Sequence, residues 1–121
     1  MKTITIKFLD YCHYIFFIIF SIIGFYIYKD YGFNIDETFT RKSGLYWLSY
    51  LADIFGFDQI YEISLGKINS SDDFTIPWSN AYGIIFDVPA AAIEVLFSIN
   101  EPLKIYEMRH MLTFVYFLVG L

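Results

Sequence analysis

The feature that most constrains this fold is an uncharged run of 18 residues near the start of the chain, Tyr11 to Tyr28. The run contains no Asp, Glu, Lys or Arg. As a helix that rises about 1.5 Å per residue it covers about 27 Å, close to the hydrocarbon thickness of a bilayer. Because a lone segment in lipid must satisfy its own backbone hydrogen bonds, the run predicts a transmembrane helix over residues 11–28.

Both ends of the run are rich in tyrosine, whose amphipathic ring prefers the headgroup region of a bilayer. The main alternative is a buried helix of a soluble core, but such a helix would normally carry a polar face, and this run has none. A cleaved signal peptide would end in small residues, whereas the segment Phe25 to Tyr28 is bulky. An uncleaved signal anchor is therefore the favoured interpretation.

The charges around the run and the length of the segment after it predict its orientation. Lys2 and Lys7 precede the run, and a long segment after a span translocates largely regardless of its charge. We therefore predict a multi-pass protein of a bacterial inner membrane, with residues 1–10 as a cytoplasmic tail and residues 29–110 as an extracytoplasmic loop.

Composition excludes several classes of protein. The chain is 57% hydrophobic and only 17% charged, which is too apolar for a disordered protein. Its net charge is −5 and it has no Lys/Arg cluster, so nucleic acid is not expected as a partner. The single cysteine, Cys12, excludes an internal disulfide and leaves an inert thiol and a lipid-modified thiol as alternatives.

A helix is also predicted over about residues 37–55, because apolar residues recur there at spacings of three and four. Gly56 is placed to end this helix, and Asn34 or Asp36 is placed to cap its start. Residues 57–68 fit either a short helix or an extended segment, and the pattern does not decide between them.

A second apolar stretch, residues 81–99, is long enough to span a bilayer but carries Asp87 and Glu94. Each carboxylate would cost about 2.5–3.5 kcal/mol at the bilayer centre. We therefore predict an amphipathic juxtamembrane helix here, with a true span as the alternative. Residues 111–121 are uncharged but too short to cross, and they predict the start of a second, truncated transmembrane helix.

The predicted fold class is thus an all-α integral membrane protein, with one full transmembrane helix, outside-facing juxtamembrane helices and the start of another span. Two segments stand out in this order of features, residues 34–41 (Asn-Ile-Asp-Glu-Thr-Phe-Thr-Arg) shortly after the first predicted span and residues 106–110 (Tyr-Glu-Met-Arg-His) before residue 111. With them the chain resembles the GT-C superfamily of membrane glycosyltransferases, which includes protein O-mannosyltransferases and lipid-linked sugar transferases.

The resemblance implies the amino-terminal part of an enzyme that moves a sugar from a polyprenyl-phosphate donor to an acceptor hydroxyl, inactive alone. Asp36 would act as the general base or help to hold a metal, since a hydroxyl is a poor nucleophile until a carboxylate takes its proton. Glu37 would support it, and Arg41 and Arg109 would bind the donor phosphate, whose oxygens a guanidinium matches. No cofactor is expected, although a divalent metal would suit this chemistry.

The same residues have structural interpretations that stay open. Asp36 suits a helix cap and Glu37 a partner of the helix dipole. Arg41 fits a solvated or snorkelling charge, and Arg109 fits an anchor at the lipid interface. The alternative function is accordingly a small multi-pass or signal-anchored membrane protein with a structural or interaction role.

Overall fold

The computed structural model describes residues 2–32, 34–69 and 84–120, with side chains described from residue 11 onward except at residues 35 and 69. Every regular element in these ranges is helical, so the all-α prediction is confirmed for them. The elements are α1 (Lys2–Ile27), a 3₁₀ turn (Tyr28–Asp30), α2 (Ile35–Phe55), α3 (Asp58–Asn69), α4 (Ile84–Leu96) and α5 (Pro102–Gly120).

Helix α1 is longer than the predicted transmembrane helix, because it begins at Lys2 rather than near residue 11. Together with the 3₁₀ turn that follows it, its segment Tyr11–Asp30 is long and apolar enough to cross a membrane, by length and composition, and no other helix among the described residues meets that standard. Within the uncharged run, Gly24 is the one buried residue. Most of the large apolar side chains of this run lie exposed within the described part of the chain.

The start of α2 is set by Asn34, which settles the choice between two predicted caps. The Asn34 side-chain oxygen Oδ1 accepts a hydrogen bond of 3.4 Å from the backbone N–H of Asp36. Asp36 and Glu37 then occupy the first turn, where the helix dipole favours negative charge.

The end of α2 is set by Gly56, as the sequence predicts. Gly56 adopts a left-handed conformation with φ of 72°, and its N–H donates to the carbonyl of Asp53 (3.2 Å). The next N–H, that of Phe57, donates to the carbonyl of Ala52 (2.8 Å), which completes a Schellman cap. The chain turns there into α3, so residues 57–68 are largely helical rather than extended.

The chain divides into two compact units, and α5 contributes to both. The first unit comprises α1, the 3₁₀ turn, Tyr31 and the part of α5 from His110 onward. The second unit comprises residues 32–109, in which α2 packs against α3 and α4. Each unit has its own internal packing.

The second unit has a small apolar core at the contact between α2 and α4, formed by Leu45, Ala91 and Val95. The two helices approach closely at Gly44, where an added Cβ would overlap the backbone of Asp87. The interior also holds polar side chains, whereas several large apolar ones lie exposed on the outside. The buried polar residues are Ser43, Ser49, Ser64, Asp87, Glu94 and Arg109.

Helix α4 covers residues 84–96 of the predicted 81–99 helix; residues 97–99 are not helical, and residues 81–83 lie outside the described ranges. Its 13 residues are fewer than the roughly 20 that a transmembrane helix needs. The helix ends with Ser98 in a left-handed conformation (φ 51°) and with the N–H of Ile99 donating to the carbonyl of Glu94 (3.0 Å). The juxtamembrane position of this helix stays a prediction.

Candidate functional site

Two groups of buried charges lie inside the second unit, and they contain two of the four candidate residues. We call Arg41, Lys67 and Glu94 the Glu94 cluster. We call Thr40, Asp87 and Arg109 the Asp87 cluster. Both carboxylates come from α4, and every cationic partner comes from a different helix.

In the Glu94 cluster one carboxylate binds two cations. The guanidinium of Arg41 binds this carboxylate through two parallel hydrogen bonds, from Nε to Oε2 (2.8 Å) and from Nη2 to Oε1 (2.7 Å). Lys67 Nζ lies 3.1 Å from the same Oε1 and also donates to the carbonyl of Ile99 (2.8 Å) and to Oδ1 of Asn100 (3.0 Å). The cluster therefore ties α2 and α3 to α4, with Glu94 only 1% exposed.

The two cations keep Glu94 ionised despite its burial. Burial alone would raise the pKa of this carboxyl group, but the hydrogen bond and charge of Arg41, followed by those of Lys67, outweigh it. The net result is a pKa below the ordinary value. The hydrogen bond to Glu94 in turn raises the pKa of Arg41, against the opposing effect of burial.

In the Asp87 cluster, Arg109 of α5 joins α4 and α2. Its Nη2 donates to Oδ1 of Asp87 (2.6 Å) and to the hydroxyl of Thr40 (3.0 Å). The guanidinium carbon also lies 5.4 Å from the centre of the Phe86 ring, a cation–π distance. Arg109 is only 4% exposed, so this pair lies in a largely dehydrated environment.

These clusters explain why an apolar helix carries two acidic residues. From the sequence alone, Asp87 and Glu94 are expected to oppose insertion into a membrane, and no partner is predicted for either carboxylate. Arg41 and Arg109 were instead assigned to a donor phosphate, a role that stays a prediction. The signal that could have found the pairs was the presence of arginines in both flanking helices, because a buried carboxylate requires a cation or hydrogen-bond donors.

The remaining two candidates, Asp36 and Glu37, lie outside both clusters. Asp36 is exposed in the first turn of α2, and its carboxylate makes no hydrogen bond or ion pair with a described residue. Glu37 is half-buried. One turn along, the hydroxyl of Thr38 lies 3.4 Å from that of Tyr106, which brings α5 beside the start of α2.

No three His, Cys, Asp or Glu side chains of the described residues lie close enough together to share a metal ion. A divalent metal can also bind through one or two carboxylates and the phosphates of a substrate, so a metal at Asp36 stays a prediction. No chemistry is assigned through one.

The groups of this region that are available to act on a substrate are the exposed carboxylate of Asp36 and the partly exposed guanidinium of Arg41. Glu94 and Asp87 are already neutralised by bonded cations, so neither suits the role of general base. Arg41 uses Nε and Nη2 for Glu94, while Nη1 takes no part in those two bonds and the side chain is 18% exposed.

Comparison with protein-family models, with curated proteins and with solved structures gave no match for this chain. The resemblance of residues 34–41 and 106–110 to membrane glycosyltransferases therefore stays a prediction.

Proposed function

We propose that this chain is an integral membrane protein in which α1 crosses the bilayer and the second unit is a rigid helical module with a structural or interaction role. The observation that carries the proposal is the bare surface of α1. Thirteen large apolar or aromatic side chains between residues 11 and 27 lie exposed. If burial of each side chain contributes about 1.5 kcal/mol or more, transfer of all of them to an apolar environment is favourable by on the order of 20 kcal/mol. That is more than the whole stability of a typical domain.

The second unit supports an interaction role through its exterior. At the turn between α2 and α3, Ile54, Phe55 and Phe57 all lie exposed, with the two phenylalanine rings 6.4 Å apart. Adjacent exposed apolar residues of this kind mark contact surfaces for proteins or membranes. The buried ion pairs hold the helices that present this corner.

Flotation with liposomes tests the membrane proposal. The intact chain is expected to float with the lipid and to stay there after alkaline extraction. Ile18→Arg combined with Ile22→Arg places two charges on exposed positions of α1, at about 2.5–3.5 kcal/mol each near the bilayer centre, so this variant should remain at the bottom of the gradient.

The matched control places the same two charges on exposed isoleucines outside α1, as Ile63→Arg with Ile85→Arg, and should still float. An unmodified chain that stays in the aqueous layer without detergent would remove the membrane assignment altogether.

A specific observation favours a second candidate function, sugar transfer. Asp36 is the acidic side chain of the resembling segment that lies exposed and makes no bond with a described residue, whereas Asp87 and Glu94 are held by cations. In this proposal the chain is the amino-terminal part of a membrane glycosyltransferase that uses a polyprenyl-phosphate sugar donor. Asp36 takes the proton of the acceptor hydroxyl, and Arg41 meets the donor phosphate through Nη1.

Asp36→Asn in the full-length protein tests this candidate, assayed in membranes as sugar transferred from a polyprenyl-phosphate donor. Loss of the base is expected to lower the transfer rate by about 10²–10⁴-fold at unchanged protein level. Asp53→Asn is the matched control, because Asp53 is another exposed carboxylate of α2. Equal activity of Asp36→Asn and the unmodified protein would exclude Asp36 as the base.

A further inference from the structure

The second half of α5 packs against α1 along a seam of aromatic rings. Phe114 of α5 lies edge-on to Phe25 of α1, with ring centres 5.1 Å apart. Phe117 lies 5.8 Å from Phe20 by the same measure. At the other end of the seam, the ring of His110 is 5.9 Å from that of Tyr31.

These pairs show that the two segments run antiparallel. As α5 advances from residue 110 through 114 to 117, its partners on the first segment move backwards from residue 31 through 25 to 20. The advancing part of α5 therefore follows the uncharged run of α1 from its carboxyl-terminal end towards its middle.

A glycine on α1 makes room for the seam. Gly24 is buried, and a Cβ added there would overlap the ring of Phe114. Small residues that let a neighbour approach closely are typical of helix pairs in lipid, where packing replaces the hydrophobic effect as the driving force.

The exposed side of this part of α5 has the composition of a lipid-facing helix. Residues 111–120 contain no Asp, Glu, Lys or Arg. Outside the seam, Val119 is 83% exposed, and Tyr116 also lies exposed. These ten residues rise about 15 Å, roughly half of the hydrocarbon thickness, which matches the contact with Phe20 near the middle of the run.

We infer that the part of α5 beyond His110 enters the bilayer beside α1 as a second membrane-inserted segment, and that its exposed face contacts lipid. The inference rests on the proposed placement of α1 in the membrane. Its support is that the apolar surfaces of α1 and of α5 beyond His110 meet along the seam. It follows that Tyr31 and His110, whose rings are 5.9 Å apart, lie at the same face of the bilayer.

Cysteine labelling in liposomes tests the inference, in a Cys12→Ser background that removes the native thiol. Single cysteines replace Ile18 on α1, Leu103 at the start of α5 and Val119 near its end, all exposed positions in this structure. N-ethylmaleimide crosses bilayers but reacts only with thiolates formed in water. We expect Leu103→Cys to react, and Ile18→Cys and Val119→Cys to react only after SDS is added.

The outcomes separate this inference from the membrane proposal. Protection at position 18 with reaction at position 119 would overturn the inference and leave α1 in the membrane. Reaction at both positions would overturn both. Protection at position 119 supports lipid as the covering partner, because Val119 is 83% exposed within the described part of the chain.

The seam itself is tested by spin labels that are attached in detergent to Phe20→Cys and Phe117→Cys, in the same background, before the chain is returned to lipid. Dipolar broadening between the two labels is expected, with weaker broadening for Tyr26→Cys with Val119→Cys, two positions that are each 83% exposed. Gly24→Leu should reduce the 20–117 broadening, whereas Gly66→Leu, a position with open space, should leave it intact. Broadening that survives Gly24→Leu unchanged would contradict the assigned role of Gly24.

Discussion

Arg109→Met is expected to destabilise the second unit by about 3–5 kcal/mol, because it leaves Asp87 buried without its cation. The methionine side chain keeps much of the volume and loses both bonds of Nη2, to Asp87 (2.6 Å) and to Thr40 (3.0 Å). The unmatched carboxylate can then escape its penalty only by taking up a proton or by opening the contact between α4 and α5.

Replacing both partners should be much less damaging than replacing one. Asp87→Leu with Arg109→Met exchanges the charges for apolar groups of similar size, an exchange that elsewhere is often neutral or stabilising. The double variant is therefore expected to recover most of the stability that Arg109→Met loses. Recovery on adding a second substitution is a result that simple loss of packing would not produce.

The measurement is urea unfolding of the full chain in detergent, followed by tryptophan fluorescence in a Trp78→Phe background. Trp47 then reports from α2, inside the second unit. Lys104→Met provides a matched control on α5, because Lys104 pairs with Glu101 at 2.9 Å in an exposed position where an ion pair contributes little. Equal urea midpoints for Arg109→Met and Lys104→Met would contradict the structural importance of the buried pair.

The helices of this chain were largely predictable because the signals that set them are local. Gly56 ends α2 through its own left-handed backbone, and Asn34 caps it through a side chain two residues away from the N–H it binds. The apolar character of α1 likewise depends only on neighbouring residues. Each of these features can be identified without knowing what the helix packs against.

The partners of the buried charges were not predictable in the same way, because they depend on contacts between distant parts of the chain. Arg41 and Glu94 are 53 positions apart, and Arg109 and Asp87 are 22 apart. Periodicity places Asp87 and Glu94 on one face of α4 but does not say which helix lies opposite. The sequence therefore predicts only that these carboxylates oppose membrane insertion. In the structure they are surrounded by arginine, lysine and threonine.

The candidate site was predictable only in part for the same reason. The position of Asp36 in the first turn of a capped helix is a local feature. The engagement of Arg41 and Arg109 with internal carboxylates requires the packing of three helices. A phosphate ligand was predicted for these arginines because no local pattern identifies a residue in the chain that would occupy them.

Glu94→Gln is the second substitution with a large expected effect, about 3–5 kcal/mol of lost stability at neutral pH. The amide keeps the shape of the side chain and removes the charge that Arg41 and Lys67 share. Both cations would then be left with a neutral partner in a place where Glu94 is 1% exposed. Unfolding by urea at pH 7, with Trp47 as reporter, should show a clearly lower midpoint for the variant.

The pH dependence of this difference gives a sharper test. The pKa of Glu94 is lower in the folded chain than its ordinary value of 4.5, so its stabilising contribution is complete above pH 4.5. The contribution is lost as the pH falls from there through the folded pKa, where the folded state must take up the proton. The difference in the free energy of unfolding between the unmodified chain and Glu94→Gln should therefore be constant above about pH 5.5 and shrink steadily at lower pH.

Glu62→Gln is the control for this titration, because Glu62 is an exposed carboxylate of α3. The free energy of unfolding of Glu62→Gln should differ little from that of the unmodified chain at every pH. Such a result would show that the effect of Glu94→Gln is specific to the buried carboxylate. A gap for Glu94→Gln that stayed constant from pH 7 to the acid limit would mean that its charge does not stabilise the fold. The bidentate contact with Arg41 would then contribute through shape alone.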